Sequence, residues 1–252
     1  MQQCKAHCEL RSCLRAWYAT PLGGLLQQAE REQLDDLLPE RFGYHLLQIG
    51  ALCGVSLLDQ SPIRHRILLD EDPAAPGCGV GADPVALPFA SDSIDAVVLH
   101  HALEFSSDPH RTLREVERVL IPEGVAVIVG FNPYSLWGLR GWLRRRRGDA
   151  PWCGRFLSAP RVRDWLALLG FDVLECRFRL YRPPLQRGGL QRKLAFLENW
   201  GGRWWQPLGG LYFVVARKRV VTVTPLRPRW QRHRRLVGGG FAEPTSRSGT
   251  HG

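Results

Sequence analysis

Lysine is almost missing from this chain. Lys5, Lys193 and Lys218 are the only three, so a formal net charge of +10 rests almost wholly on arginine. No stretch approaches the roughly 18 consecutive apolar residues that a membrane-spanning helix requires, so no membrane span is expected. The opening residues, Met1 to Glu9, have no apolar core of the kind that makes a secretory signal. Seven cysteines, an odd number without framework spacing, argue against a disulfide scaffold and suit a reducing, cytoplasmic setting. Cys4, Cys8 and Cys13 with His7 match neither a zinc pair nor an iron–sulfur run, and no metal is expected. Internal repeats are absent.

What is present fits one α/β domain with embellishments: 252 residues, 44% hydrophobic and 23% charged. Residues 21 to 123 hold most of the acids, whereas 140 to 235 are strongly basic, a balance that favours an anionic partner such as nucleic acid, a phospholipid surface or an acidic substrate. Eight of the nine tryptophans follow residue 130. Three regions are expected: an N-terminal segment (1–20), a folded domain (21–223), and a disordered basic tail (224–252) rich in Pro, Gly, Ser and Arg.

Within the domain, Leu22, Leu25, Leu26, Ala29, Leu34, Leu37 and Leu38 follow helical spacing after Pro21. Short apolar runs at 44–50, 66–70, 94–99 and 125–129 predict buried strands. Between the last two, Asp108 and Pro109 open a helix with Leu113, Val116, Val119 and Leu120 on one face, ended by Pro122 and Gly124. A second helix is predicted from about Ser158 to Leu169, stopped by Gly170. Two final strands, 171–180 and 211–219, are expected to form an antiparallel pair. The alternation predicts a doubly wound, Rossmann-like α/β fold, its sheet mostly parallel with an antiparallel last strand.

Residues 81 to 140 carry the most specific pattern. Asp83 and Leu87-Pro88-Phe89 precede Asp92 and the apolar strand. Then come Leu103-Glu104-Phe105, Asp108-Pro109, Arg118-Val119-Leu120-Ile121-Pro122-Glu123-Gly124 and Asn132-Pro133. In order and spacing this resembles the class I S-adenosylmethionine-dependent methyltransferases of the type 11 kind, in the branch of the ubiquinone and menaquinone biosynthesis methyltransferases. The likeness covers roughly residues 40 to 220. It implies S-adenosyl-L-methionine as cofactor, bound across the carboxyl ends of the strands.

Residue by residue, the resemblance implies that Asp83 meets the adenine amino group. Pro84 beside it offers no N–H to the ring, and a plain turn role for Asp83 is the competing reading. Asp70, Glu71 or Asp72 would hold the ribose, Asp70 directly following the apolar run. The family's acid-x-Gly-x-Gly-x-Gly loop corresponds to Gln48-Ile49-Gly50-Ala51-Leu52-Cys53-Gly54: Gly50 and Gly54 survive, Leu52 replaces the central glycine, and Gln48 brings a carboxamide where the family has a charge. Asp70 follows Gly54 by only 16 positions, and Asp83 follows Asp70 by 13. The first crossover helix must therefore be short and the second almost absent.

Methyl transfer from a sulfonium is an in-line displacement driven largely by positioning, and a general base is needed only if the acceptor loses a proton. His100 and His101 follow the 94–99 strand and are the candidates for that base, a hydrogen-bonded structural role being the alternative. Glu104 and Asn132 are placed to orient an acceptor. A lid is expected from about 134–160 and 181–210, where Arg140 and Arg144–Arg147 could grip a phosphate or carboxylate or form a solvated charge run. Trp200, Trp204 and Trp205 would cover an acceptor or pack on the sheet. Three functions follow: a small-molecule methyltransferase, a catalytically silent binding module on the same fold, or an RNA-associated methyltransferase using the basic segments.

Overall fold

A computed structural model of the chain describes residues 12–50, 57–73, 75, 77–144, 149–185, 194 and 196–219. The chain divides into two compact units, Met1–Val220 and Val221–Gly252, and the described residues all belong to the first. The basic tail expected at 224–252, the glycine-loop positions Leu52 and Gly54, and Arg145 to Arg147 lie outside the described residues.

Helix α1, Pro21–Leu37, starts where the sequence caps it. The Thr20 hydroxyl accepts the Gly23 N–H at 3.2 Å, and Pro21 occupies the first helical position, where no N–H is needed. Strands β1 (His45–Ile49), β2 (His65–Asp70), β3 (Val80–Gly81) and β4 (Ile94–His100) follow, then the short α2 (Ala102–Phe105), α3 (Pro109–Val119) and β5 (Leu120–Phe131). Helices α4 (Leu136–Arg144) and α5 (Ala159–Leu168), β6 (Phe171–Arg179), α6 (Phe196–Trp204), a 3-10 turn at Gln206–Leu208 and β7 (Leu211–Lys218) complete the unit.

The strands form one seven-stranded sheet in the order β3-β2-β1-β4-β5-β7-β6. β7 runs antiparallel to both β5 and β6, and the remaining pairs are parallel. This is the doubly wound sheet the sequence predicts. Between β2 and β3 the described residues carry no helix, in line with the short spacing. Side chains alternate across the sheet. Leu46, Val98, Val129 and Phe213 face α1, whereas Leu47, Leu99, Ile128 and Val214 face α3 and α5.

Two features depart from the expected boundaries. Residues 12–18 are helical, and Leu14 and Tyr18 are buried in the core beside α1, so the packed unit includes part of the segment set aside as N-terminal. Residues 136–144, expected within a lid, form α4. In α3 the Asp108 carboxylate accepts the N–H groups of His110 and Arg111, both at 3.1 Å. Asp108→Ala should therefore cost about 1 kcal/mol, readable as a lowered urea midpoint with an unchanged slope.

Candidate cofactor crevice and acceptor groove

Parallel pairing sets the carboxyl ends of β1, β2 and β4 side by side. Ile49 stands opposite Leu69 on one side and Leu99 on the other. The chain leaves β1 through Gly50 at φ +90, a backbone conformation suited to glycine. Its N–H bonds to the Leu69 carbonyl at 3.0 Å, and a Cβ there would stand 2.4 Å from the His100 carbonyl oxygen. The buried Gln48 bonds through its carboxamide to two backbone groups: Nε2 donates to the Gly50 carbonyl at 3.3 Å, and Oε1 accepts the Leu57 N–H at 3.2 Å. Gln48 thus ties Gly50 to Leu57.

Asp70 ends β2 as a buried carboxylate whose Oδ1 accepts the Asp72 N–H at 2.9 Å. Its carbonyl accepts the Ala82 N–H at 3.0 Å, bringing the Asp83 turn to the same edge of the sheet. Asp83 is exposed and closes that turn: Oδ1 accepts the Val85 N–H at 3.0 Å, and its carbonyl accepts the Ala86 N–H. Leu87 and Phe89 are fixed next to it, because Arg118 donates to both of their carbonyls and Glu115 accepts the Leu87 N–H. Asp95 acts structurally, accepting the N–H groups of Tyr44 and His45 at the start of β1.

Beyond β4 lies a buried polar cluster. Adjacent residues of a strand point to opposite faces, but His101 adopts φ +52, and both imidazoles reach one carboxylate on α1. Glu30 Oε2 lies 2.9 Å from His100 Nε2 and Glu30 Oε1 lies 2.7 Å from His101 Nε2, with the Tyr18 hydroxyl donating to Oε1 at 3.3 Å. His101 Nδ1 lies 2.8 Å from Glu104 Oε2, and the other Glu104 oxygen accepts the Phe131 N–H. All four side chains are buried.

Burial by itself would raise the Glu30 carboxyl, but the charge of His100 and hydrogen bonds from both histidines outweigh it and hold the group down at about 2. Burial would likewise lower His101, yet Glu104 and Glu30 raise it to about 10. The donors of Glu30, His100 and His101 are of the metal-triad type, lying within 4.8 Å of one another. Their 2.7 and 2.9 Å contacts are of hydrogen-bond length.

The third component is a groove of about 760 Å³ between α4 and the segment before β7. Tyr134, Leu139, Trp142, Phe156, Tyr181 and Trp205 are among the residues that line it. It is joined to the polar cluster through stacked rings: His101 on Phe131 at 4.3 Å, and Phe131 on Phe156 at 4.8 Å. Asn132 is buried, donating to the carbonyls of Pro207 and Gly209, and so ties the end of β5 to the groove's far wall. Arg140 lies over the Trp152 ring at 5.5 Å, and Arg144 is 3.9 Å from Asp149.

Residues 51–128 match the methyltransferase domain family. The uncharacterized protein YafS of Escherichia coli K12 is 37% identical over 210 residues, which cover 82% of each chain. A malonyl-[acyl-carrier protein] O-methyltransferase of Halorhodospira halophila is 38% identical over 97 residues, 38% of this chain and 32% of that one. Among solved structures, a Thermotoga maritima S-adenosylmethionine-dependent methyltransferase, described as a possible histamine N-methyltransferase, superposes with a TM-score of 0.57 at 18% identity, covering 76% of this chain and 89% of that one. This chain belongs to the class I methyltransferases. The sheet order and the antiparallel β7 are those of a methyltransferase fold.

Within this methyltransferase domain, the expected cofactor residues Gln48, Gly50, Asp70 and Asp83 gather along one edge of the sheet, and Gly54 is outside the described residues. His100 and His101 sit at that edge too, but beneath the surface and bonded to carboxylates. Glu104 and Asn132 are buried, with their polar atoms joined to the protein. Glu30 is the residue that sequence reasoning missed. The sign of it was legible: Glu30 lies four residues after Leu26 and four before Leu34, on the buried stripe of α1. Among the described residues, no helix is long and apolar enough to cross a membrane.

Proposed function

We propose that the chain transfers a methyl group from S-adenosyl-L-methionine to a small-molecule acceptor with a substantial apolar body. One observation carries the reading: the strand ends at Gly50, Asp70 and the Asp83 turn form one continuous edge that leads, through the Phe131–Phe156 stack, to a mainly apolar groove. Gly50 supports the fit of the cofactor, because its missing Cβ lets β1 and β4 close to a distance no side chain permits. Bound there, the cofactor supplies an electrophilic methyl on a sulfonium.

The chain's own part is then positional. Asp70 is suited to accept hydrogen bonds from vicinal ribose hydroxyls, and Asp83, whose Oδ1 keeps the turn closed, is suited to meet the adenine amino group. Gln48 acts indirectly by fixing Gly50 relative to Leu57. His100 and His101 are positioning residues in this arrangement: they lock α1 and α2 onto the end of β4, and His101 supports the aromatic floor of the groove.

Isothermal titration with S-adenosylmethionine and with its demethylated product tests the reading, and no measurable heat with either would end it. Asp70→Asn should weaken the affinity for both about tenfold to a hundredfold, the equivalent of roughly 1.5–3 kcal/mol for hydrogen bonds to a charged group. Its unfolding midpoint should stay close to the parent's.

A further inference from the structure

A helix on a protein surface normally turns its apolar stripe inward. In α4 the inward residues are Trp137, Gly138 and Gly141, while Leu136, Leu139, Trp142 and Leu143 point outward with 52%, 53%, 72% and 63% of their surface exposed. Gly138 and Gly141 explain the inversion. A Cβ on Gly138 would lie 2.1 Å from the Pro133 carbonyl oxygen and one on Gly141 2.7 Å from the Phe156 ring, so beside Trp137 these two inner positions leave no room for a side chain. Across the groove Trp204, Trp205 and Leu208 are exposed as well. Among the described residues nothing covers this surface, and a contiguous apolar patch in water marks a binding face.

We propose that the outward face of α4, with the tryptophans preceding β7, docks on an anionic lipid membrane. Charge complementarity selects this occupant. Arg144 lies at the end of α4 beside Leu143, and Arg145, Arg146 and Arg147 continue the sequence directly from it, in a chain of net charge +10. Leucine and tryptophan on one side with arginine alongside is the composition of helices that lie in the headgroup region, where each basic residue adds to the attraction of anionic lipid. A second copy fits poorly, since a two-fold contact would set arginine against arginine. Single-stranded nucleic acid would use the tryptophans for stacking but leaves the three leucines without a role. The inference is independent of whether the crevice binds the cofactor, and it places the groove mouth at the lipid surface.

The test is co-sedimentation of the full chain with phosphatidylcholine vesicles with and without phosphatidylglycerol, using the parent and the double variant Trp142→Ser/Leu143→Ser. Both replaced side chains are exposed, and unfolding curves should coincide. The parent should partition onto the anionic vesicles at least tenfold more strongly than onto neutral ones, with the difference shrinking in salt. The double variant should lose at least tenfold on the anionic vesicles. Equal binding by parent and variant would assign any attraction to basic segments elsewhere and overturn the proposal. So would a parent that ignores vesicles but forms a dimer that the variant abolishes, or one that binds single-stranded RNA instead. Failure of the methyl-transfer reading shows separately, as absent cofactor heat in titration.

Discussion

Glu30→Ala should destabilise the domain by about 3–5 kcal/mol, the range found when one partner is removed from a buried charge pair. Glu30 joins α1 to the end of β4 through contacts of 2.7 and 2.9 Å, 70 and 71 residues apart in sequence. Without it, the bond from His101 Nδ1 to Glu104 remains, His100 loses its Nε2 partner in a buried site, and the Tyr18 hydroxyl loses its bond to Oε1. At roughly 2–4 °C per kcal/mol for a domain of this size, the melting temperature should fall on the order of 10 °C. A fall below about 2 °C would mean that the cluster is solvated or already uncoupled.

The same cluster sets a pH signature. His101 is raised from 6.5 to about 10, so its contribution is fully present below pH 6.5 and is lost as pH climbs through 10. Glu30 is lowered from 4.5 to about 2, so its contribution is present above pH 4.5 and is lost as pH falls through 2. Stability from the pair therefore peaks between pH 4.5 and 6.5 and declines on both sides. In Glu30→Gln the alkaline decline should become shallower, because Glu104 alone raises His101. Thermal unfolding from pH 5 to 10 reads the alkaline slope, and identical slopes in parent and variant would refute the assignment.

Gly50→Ala is the second large effect. Alanine at φ +90 is strained in itself, and its methyl carbon would stand 2.4 Å from the His100 carbonyl oxygen. That oxygen cannot step aside easily, since Leu99 and His100 are paired with Ile128 and Val129 of β5. The end of β1 must move instead, at about 2–4 kcal/mol for strain plus overpacking. It carries the Gln48 clasp with it. The affinity for S-adenosylmethionine should drop a hundredfold or more, whereas Gly170→Ala, at a positive φ with no neighbour near its Cβ, should be milder and leave binding intact. Equal cofactor affinity in Gly50→Ala and parent would remove Gly50 from the crevice.

These residues differ in how far the sequence announces them. The α3 cap, the Leu113/Val116/Val119 stripe and the β4 run are local patterns, and the structure reproduces them within a residue or two. Gly50 and Asp70 were legible because a family pattern marks strand ends. Asp83 was legible only as two alternatives, and the turn reading is visible in its bond to Val85. The Glu30–His100–His101–Glu104 cluster was not, because His101 reaches Glu30 through a left-handed backbone that no periodicity specifies. Nor was α4: its outward leucines look like an ordinary core stripe until Gly138 and Gly141 are seen against Pro133 and Phe156.

The sequence by itself determined the alternating strands and helices, the caps, and the membership of a methyltransferase fold, since each rests on neighbours within a few residues and on motif spacing. Tertiary structure alone decided which polar groups share a dry pocket and which side of α4 faces outward. The polar cluster joins residues 70 and 71 positions apart and the orientation of α4 turns on the space at Pro133 and Phe156, so packing space and desolvation, rather than local propensity, choose the outcome.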